Sequence, residues 1–489
     1  MMSSDSPSHN PHLTIVSRRE WLARTGCGFG AVALAGLLAT ESRGADGTRV
    51  PADPLAPKPP HLPAKAKRVI FLFMQGGVSH VDSYDYKPRL DQDDGKQLPF
   101  DDARAIANSG LRGSSKRVMK PLWKFARKGQ SGRWASDLFP ELAKRVDDLC
   151  FIHSLHTEGV AHGPATLFLH CGATNFVRPS MGSWVLYGLG TQNANLPGFV
   201  SIAPSAGNGG PRNYGPAFLP AVYQGTALGK AGGPPSEATI RNLAGPLPSA
   251  DGRGRFDLLR DLHAEQLKRS PGDAELEAVA NSYELAWRMQ QNAPDILDLS
   301  KESIDTLKLY GVNEKATDTF GRQCLMARRL CEAGTRFVQV TYGDNSANPA
   351  WDQHSNMPKH GDHARAVDRP IAGLLADLKQ RGLLEDTLVW WGSEFGRTPY
   401  AEGNGTGRDH NPGGFTVWLA GGGVKPGFAL GATDEFGHLA VQDKVHMHDL
   451  HATILHLLGL DHEKLTFRYT GRDFRLTDVH GRVVKEVIA

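Results

Sequence analysis

The residues best suited to chemistry fall in four polar stretches. The first is Gln75-Gly-Gly-Val-Ser-His80-Val-Asp82-Ser-Tyr-Asp85. The second is His153-Ser-Leu-His156-Thr-Glu158-Gly-Val-Ala-His162. The third is Trp351-Asp352-Gln-His354, with His360 and His363 close behind. The fourth runs Glu394-Phe-Gly-Arg397-Thr-Pro and resumes at Gly407-Arg408-Asp409-His410-Asn411. Imidazole and carboxylate together suit a divalent cation such as zinc, manganese or calcium. Asp-x-His alone is a weak signal, and each stretch taken singly is more often polar surface. Their joint position is what counts. Each follows a run with strand character, and in open α/β sheets ligands bind beyond the carboxyl ends of the strands. His446, His448 and His451 begin a helix and suit capping or packing, while His456 and His462 read as structural or exposed.

The elements that must position these loops are legible in the hydrophobic pattern. Arg68–Met74 is a continuous apolar run ending in Gln75-Gly-Gly, which predicts a strand buried on both faces. Further strands are predicted at 149–153, 336–342, 387–391 and 415–420. Helices are predicted at 138–146, 164–170, 319–333, 364–381 and 448–458, the last three closed by Gly334, Gly382 and Gly459. Alternating strands and helices predict an α/β fold, a doubly wound sheet with helices on both faces. Residues 84–135 read as a long surface insertion and 201–255 as loop. A helical insertion is expected around 256–310, where 256–292 is strongly helical.

The chain has 489 residues, with 55 Lys and Arg against 52 Asp and Glu. That balance gives no support for binding nucleic acid or an anionic membrane. Five cysteines do not make a disulfide scaffold. Ser17-Arg-Arg-Glu-Trp-Leu22 is a twin-arginine export pattern, followed at once by an apolar stretch over 27–39. That stretch is short for a bilayer and rich in Gly and Ala, as a cleavable signal should be. Such signals are receptor-read addresses, not anchors. Residues 1–44 are therefore expected to be a signal peptide and 45–66 a Pro-rich tether, with the domain over 67–480. The mature protein is expected to be periplasmic or secreted, with no stable membrane anchor after cleavage.

The segments F-L-F-M-Q-G-G-V-S-H-V-D-S-Y-D-Y-K-P, W-D-Q-H, G-L-L-E-D-T-L-V-W-W-G-S-E-F-G-R-T-P and G-R-D-H-N-P-G-G resemble family 1501 of the domains of unknown function, over about residues 67–480. That family is related to the sulfatase and alkaline-phosphatase superfamily, whose members hydrolyse sulfate or phosphate esters. The resemblance implies the superfamily's α/β core and an anionic small-molecule or glycan ester as substrate. T-L-V-W-W-G-S-E-F-G is similar to the sulfatase strand ending in S-D-H-G, so Glu394 stands for a metal-binding Asp. Asp352 and His354 resemble the Asp and His ligands before the long helix of phosphatases, and His410 resembles their late-loop histidine.

The amino-terminal half departs from that pattern. Gln75 and Gly76 stand where sulfatases hold a metal-binding Asp pair. Aligned on Pro164 and Gly172, His162 takes the nucleophile's place and Thr166 that of an arginine. No C-x-P-x-R or S-x-P-x-R motif occurs, which leaves the formylglycine mechanism without its motif. His162 is then either a metal ligand, compensating with His80 and Asp82 for the lost Asp pair, or a group that attacks the ester directly. Arg397 is expected to steady negative charge on the ester oxygens, or else to form a structural ion pair with Glu394 or Glu402. An alternative function is a sulfatase-like fold that has lost catalysis and binds an anionic glycan.

Overall fold

An arginine and six apolar residues in a row make the first strand, β1 (Arg68–Met74), and every one is buried. The pleat sends alternate side chains to opposite faces. Ile70, Leu72 and Met74 join one core cluster, and Val69, Phe71 and Phe73 join another on the other face. Full burial of such side chains stabilises by about 1.5–3 kcal/mol each, before conformational entropy is subtracted.

The computed structural model describes residues 53–234, 249–270, 273–346, 348–403 and 405–489. The twin-arginine segment lies outside them. Pro54–Ala489 forms one unit. Its other sheet-forming elements are β2 (Leu149–His156), β3 (Phe199–Ile202), β4 (Thr226–Leu228), β5 (Phe337–Tyr342) and β6 (Thr387–Gly392). Then come the hairpin β7 (Gly396–Ala401) and β8 (Arg408–Asn411), followed by β9 (Phe415–Ala420), β10 (Ala429–Leu430) and β11 (Val445–His446). The central sheet has nine strands in the order β10-β2-β9-β6-β1-β5-β3-β4, with β11 also on β2.

β1 pairs in parallel with β5 and β6, and β3 with β4 and β5, whereas β9 is antiparallel to both β6 and β2. The predicted α/β sheet is thus present in mixed form, with β9 reversed. The chain leaves β6 at the carboxyl edge, folds the β7–β8 hairpin there, and re-enters as β9 from the same edge. Helices cover both faces. On the Val69 side lie α1 (His162–Cys171), α2 (Met181–Leu189) and, late in the chain, α7 (Met447–Leu457). On the Ile70 side lie α5 (Asp318–Glu332) and α6 (Lys359–Gln380). Between them in sequence lie α3 (Ser249–Arg269) and α4 (Ala274–Leu297), joined by Phe256 stacked on Trp287 at 5.1 Å.

Two stretches expected to be loose are tied to the body. Within 84–135, short antiparallel ladders pair Gln97–Phe100 with Ser114–Arg117 and Phe125–Lys128 with Arg133–Ser136. This insertion docks on the β7–β8 hairpin. Val118 bridges Tyr400, and the Arg117 guanidinium donates to the Gly405 carbonyl at 2.6 Å. The described part of the Pro-rich stretch donates backbone hydrogen bonds from Lys65 and Ala66 to the Leu457 carbonyl at 2.9 and 2.8 Å. Cys150, Cys171, Cys324 and Cys331 are buried free thiols. Among the described residues no helix is long and apolar enough to cross a membrane.

Candidate metal centre

The carboxyl edge of the sheet gathers side chains from four separate loops. The loop after β2 leads into α1, whose first residue is His162. The loop after β5 carries Asp352 and His354. Glu394 follows β6, and His410 lies on β8. His162, Asp352, His354 and His410 place one ligand atom each within 4.8 Å of one another. His354 Nε2 and His410 Nε2 are 3.0 Å apart, and Asp352 Oδ1 lies 2.9 Å from the first and 3.3 Å from the second. Asp352 Oδ2 lies 3.1 Å from His162 Nε2.

Three imidazoles therefore turn their Nε2 atoms toward one carboxylate. The other nitrogen of each ring is held from behind. His162 Nδ1 is 2.7 Å from Glu394 Oε1, His410 Nδ1 donates to the Val160 carbonyl at 2.9 Å, and His354 Nδ1 meets Glu402 Oε2. This is how metal-ligating histidines are oriented: the outer nitrogen is hydrogen-bonded to a carboxylate or carbonyl, which fixes the tautomer and leaves the inner lone pair free. Three histidines and one carboxylate suit zinc or a similar transition ion. The residues fit such an ion.

Close backbone approach makes the arrangement possible. At Gly76 (φ +117°) a Cβ would sit 2.6 Å from the Asp352 nitrogen. The Gly76 N–H in turn donates to both Glu394 oxygens, at 3.0 and 3.1 Å. Gly407 lies so close to the His354 carbonyl that a Cβ there would fall 1.9 Å from it. The rings are backed by Phe395, which stacks on His410 at 4.2 Å between ring centroids. The His354 side chain is 27% exposed and the other three are 9% or less, so the cluster opens on the His354 side.

The local field favours positive charge. Burial alone would raise the Asp352 carboxyl. The hydrogen bonds from His162, His354 and His410 and the Arg397 charge outweigh it and hold Asp352 well below the usual carboxylate range. Burial pulls His162 and His354 down, but Asp352, aided by Glu394 at His162 and Glu402 at His354, more than restores them, so both are raised. Burial pushes His410 down to about 4. The carboxylates that favour a proton on His162 favour a metal cation in its place, since protons and metals compete for the same lone pairs.

Not every expected residue joins the cluster. Asp82 is occupied by the Arg408 guanidinium at 2.8 Å, the Ser79 hydroxyl at 2.6 Å and the Leu122 N–H at 2.9 Å. The His80 ring donates from Nε2 to the Gly437 carbonyl at 2.7 Å. Neither joins the cluster, contrary to the ligand role expected: the Asp82 carboxylate is engaged elsewhere, and His80 keeps Nε2 on the Gly437 carbonyl and Nδ1 buried without a partner. Glu394, expected as a ligand, instead stands behind His162 as its orienting carboxylate. His162 has both nitrogens engaged with carboxylates, which suits a ligand better than an attacking group.

Arg397, expected to face an ester, is fully buried, and its guanidinium is taken up within the protein. It donates to the carbonyls of Gly77 at 2.9 Å, Arg408 at 3.1 Å and Gly76, and to Asp352 Oδ1 at 2.7 Å. It locks the post-β1 loop to the Asp352 loop. His360 accepts the Ser79 N–H, and His363 bonds the Tyr342 hydroxyl, so neither enters the cluster. Sequence reasoning missed the orienting roles of Glu402 and the Val160 carbonyl. It also missed the buried Arg408–Asp82 pair, whose only signal was an arginine beside Asp409-His410.

No curated protein matches the chain. Solved structures with a similar outline include the lipoteichoic acid synthase of Listeria monocytogenes, 9% identical. That match covers 86% of this chain and 78% of the other, with a TM-score of 0.36. A sulfatase from a Pseudoalteromonas species is 12% identical over 88% and 71% of the two chains, with a TM-score of 0.34. A phosphonate monoester hydrolase from Silicibacter pomeroyi is 12% identical over 80% and 73%, with a TM-score of 0.34. At such scores a likeness of outline carries no argument about chemistry. The family is settled by sequence: the profile described as "Protein of unknown function (DUF1501)" matches residues 66–488, and the chain belongs to that family.

Proposed function

We propose that this protein is an exported metal-dependent hydrolase of sulfate or phosphate esters. The single observation that carries the reading is the convergence of His162, His354 and His410 on Asp352, each ring held from behind by an acceptor. A divalent ion bound there supplies Lewis acidity toward a sulfuryl or phosphoryl oxygen. The chain's own residues do the rest. Glu394 and the Val160 carbonyl fix the ring orientations, and Arg397 holds Asp352 ionised and in place. Phe395 backs the His410 ring and His354 is the exposed member, so the ester approaches from the His354 side. The export segment over residues 17–39 places the activity outside the cytoplasm in this reading, and replacing Arg18 and Arg19 by Lys should retain the protein inside the cell.

The test is metal analysis of the purified protein, followed by assay against nitrophenyl sulfate and nitrophenyl phosphate before and after chelation. Bound zinc or manganese, with turnover lost on chelation and restored by the ion, is the expected result. Protein that takes up no metal under any loading condition sinks the proposal. Bound metal without turnover of either ester moves the reading to a binder of anionic glycans, which the full burial of Arg397 favours because it keeps that guanidinium from reaching a substrate.

A further inference from the structure

A separate cavity of about 300 Å³ opens beside β2 and β10. Its wall includes Asp85 and Tyr86 from the loop after β1, Arg127, Arg133 and Trp134 from the small hairpin of the 84–135 insertion, and His153 from β2. None of these belongs to the metal cluster. The volume lies at the small end of ligand pockets, enough for one ring-sized molecule.

Two features define what fits. The first is an aromatic wall. Tyr86 and Trp134 lie 4.6 Å apart at an interplanar angle of 47°, and both stay half-buried. Such faces pack the C–H edges of a sugar ring while their margins stay wet. The second is uncompensated positive charge. Asp85 is the only acidic residue in the wall, and it is matched by Lys87 at 3.1 Å and the Thr433 hydroxyl. Arg127 and Arg133 have no carboxylate partner among the described residues. Arg127 lies over Trp134 at 4.8 Å and uses one nitrogen on the Gly132 carbonyl at 3.0 Å. Arg133 uses its Nε on the Gly427 carbonyl at 2.9 Å. Both guanidinia are thus held in position with donors left over, and an arginine fixed by stacking loses little further freedom when it takes an anion. His153, bonded through Nδ1 to Thr416 at 3.0 Å, adds its second nitrogen to the same wall.

We infer that this cavity is a binding subsite for an acidic sugar residue, a single hexose ring carrying a carboxylate or sulfate. The aromatic pair takes the ring, and Arg127 and Arg133 take the anionic group. The inference does not depend on the hydrolase reading, because no residue of the metal cluster contributes to the cavity.

The experiment is isothermal titration of the full chain with glucuronate, glucose 6-sulfate and glucose, with and without prior chelation. Both anionic sugars are expected to bind, glucose at least about tenfold more weakly, and chelation to change neither. Arg127→Gln, an exposed position, should weaken glucuronate and glucose 6-sulfate about tenfold, and Trp134→Ala should do the same. If glucose binds as tightly as the anionic sugars, if neither anionic sugar binds, or if Arg127→Gln binds them unchanged, the subsite is wrong. Loss of binding on chelation would move the ligand to the metal centre and likewise overturn it. A preference between carboxylate and sulfate identifies which acidic sugar the subsite takes.

Discussion

Two regions of this molecule are crowded with histidine, and they are built in opposite ways. At the carboxyl edge of the sheet, His162, His354 and His410 turn their Nε2 atoms toward Asp352. At the start of α7, His446, His448 and His451 crowd against His156 and His480. His448 lies 5.3 Å from His446 and 5.4 Å from His480 between ring centroids. Glu158 approaches only the outer ring, His446, at 3.7 Å, and among the described residues no carboxylate pairs with His448 or His451. His446 caps the helix, Asp449 completes the capping box, and His451 donates to the Leu169 carbonyl. Charge follows architecture. The carboxylates raise His162 and His354, whereas burial and neighbouring histidines push His448 down to about 2 and His451 to about 4. One region attracts a cation, and the other is packed material that must stay neutral. The number of histidines does not separate a site from a core. The placement of the anions does.

The contrast can be broken most severely at Asp352. Asp352→Asn should lower metal affinity by more than about 100-fold and leave Arg397 buried without its counter-charge. That should cost about 3–5 kcal/mol of stability, read as metal content and denaturant unfolding. Retained metal in that variant would show that the cluster has no anionic centre. Glu394→Gln should weaken metal binding 10- to 100-fold, measured by competition with a chelator, because His162 exchanges a charged acceptor for a neutral, weaker one. Unchanged affinity there would remove the orienting role.

The second region is sharpened by acid. His448 has an ordinary value of 6.5 but must remain neutral when folded, so its contribution is intact above that value and lost as pH falls toward about 2. His448→Gln should therefore exceed the wild type in relative stability at pH 4 by about 3 kcal/mol, with the difference gone at pH 8. Chelation should lower the melting temperature of the metal-loaded wild type and leave the His448→Gln difference unchanged, since ligand linkage acts only on the cluster that binds. The smallest effect is expected at Glu402, which is 37% exposed. Glu402→Gln should cost only a few-fold in metal affinity, because solvent replaces much of what it offers His354.

The fold was largely legible because its signals are local. An unbroken apolar run announced β1, and helices ending at glycine announced α5, α6 and α7. The alternation of strand and helix announced the layers. The reversal of β9 left no such mark, since Phe415–Ala420 is buried throughout and reads alike in either direction. Within the site, Asp352, His354 and His410 stood out by residue type and loop position. The errors came where type alone was used. His80 and Asp82 are as ligand-like in sequence as His354 and Asp352, but Arg408, 326 positions away from Asp82, takes the carboxylate. Glu394 and Arg397 were recognised as belonging to the site, yet their tasks depend on which face of a neighbouring ring or carboxylate they meet, and no spacing records that.

The β7–β8 hairpin stands with both feet on one edge, between a strand that runs out to that edge and one that runs back from it. Its two antiparallel strands bond to each other, and the sheet beneath closes through β6 and β9. Changes at its outer turn, past Glu402, therefore redraw the approach to the cluster without entering the pairing of β6 with β9, whereas Arg397 and Arg408 at its base tie it to the Asp352 and Asp82 loops. The rim of the cluster is thus carried by an appendage of the sheet and its floor by the sheet's own strand ends, so one can be altered while the other stands.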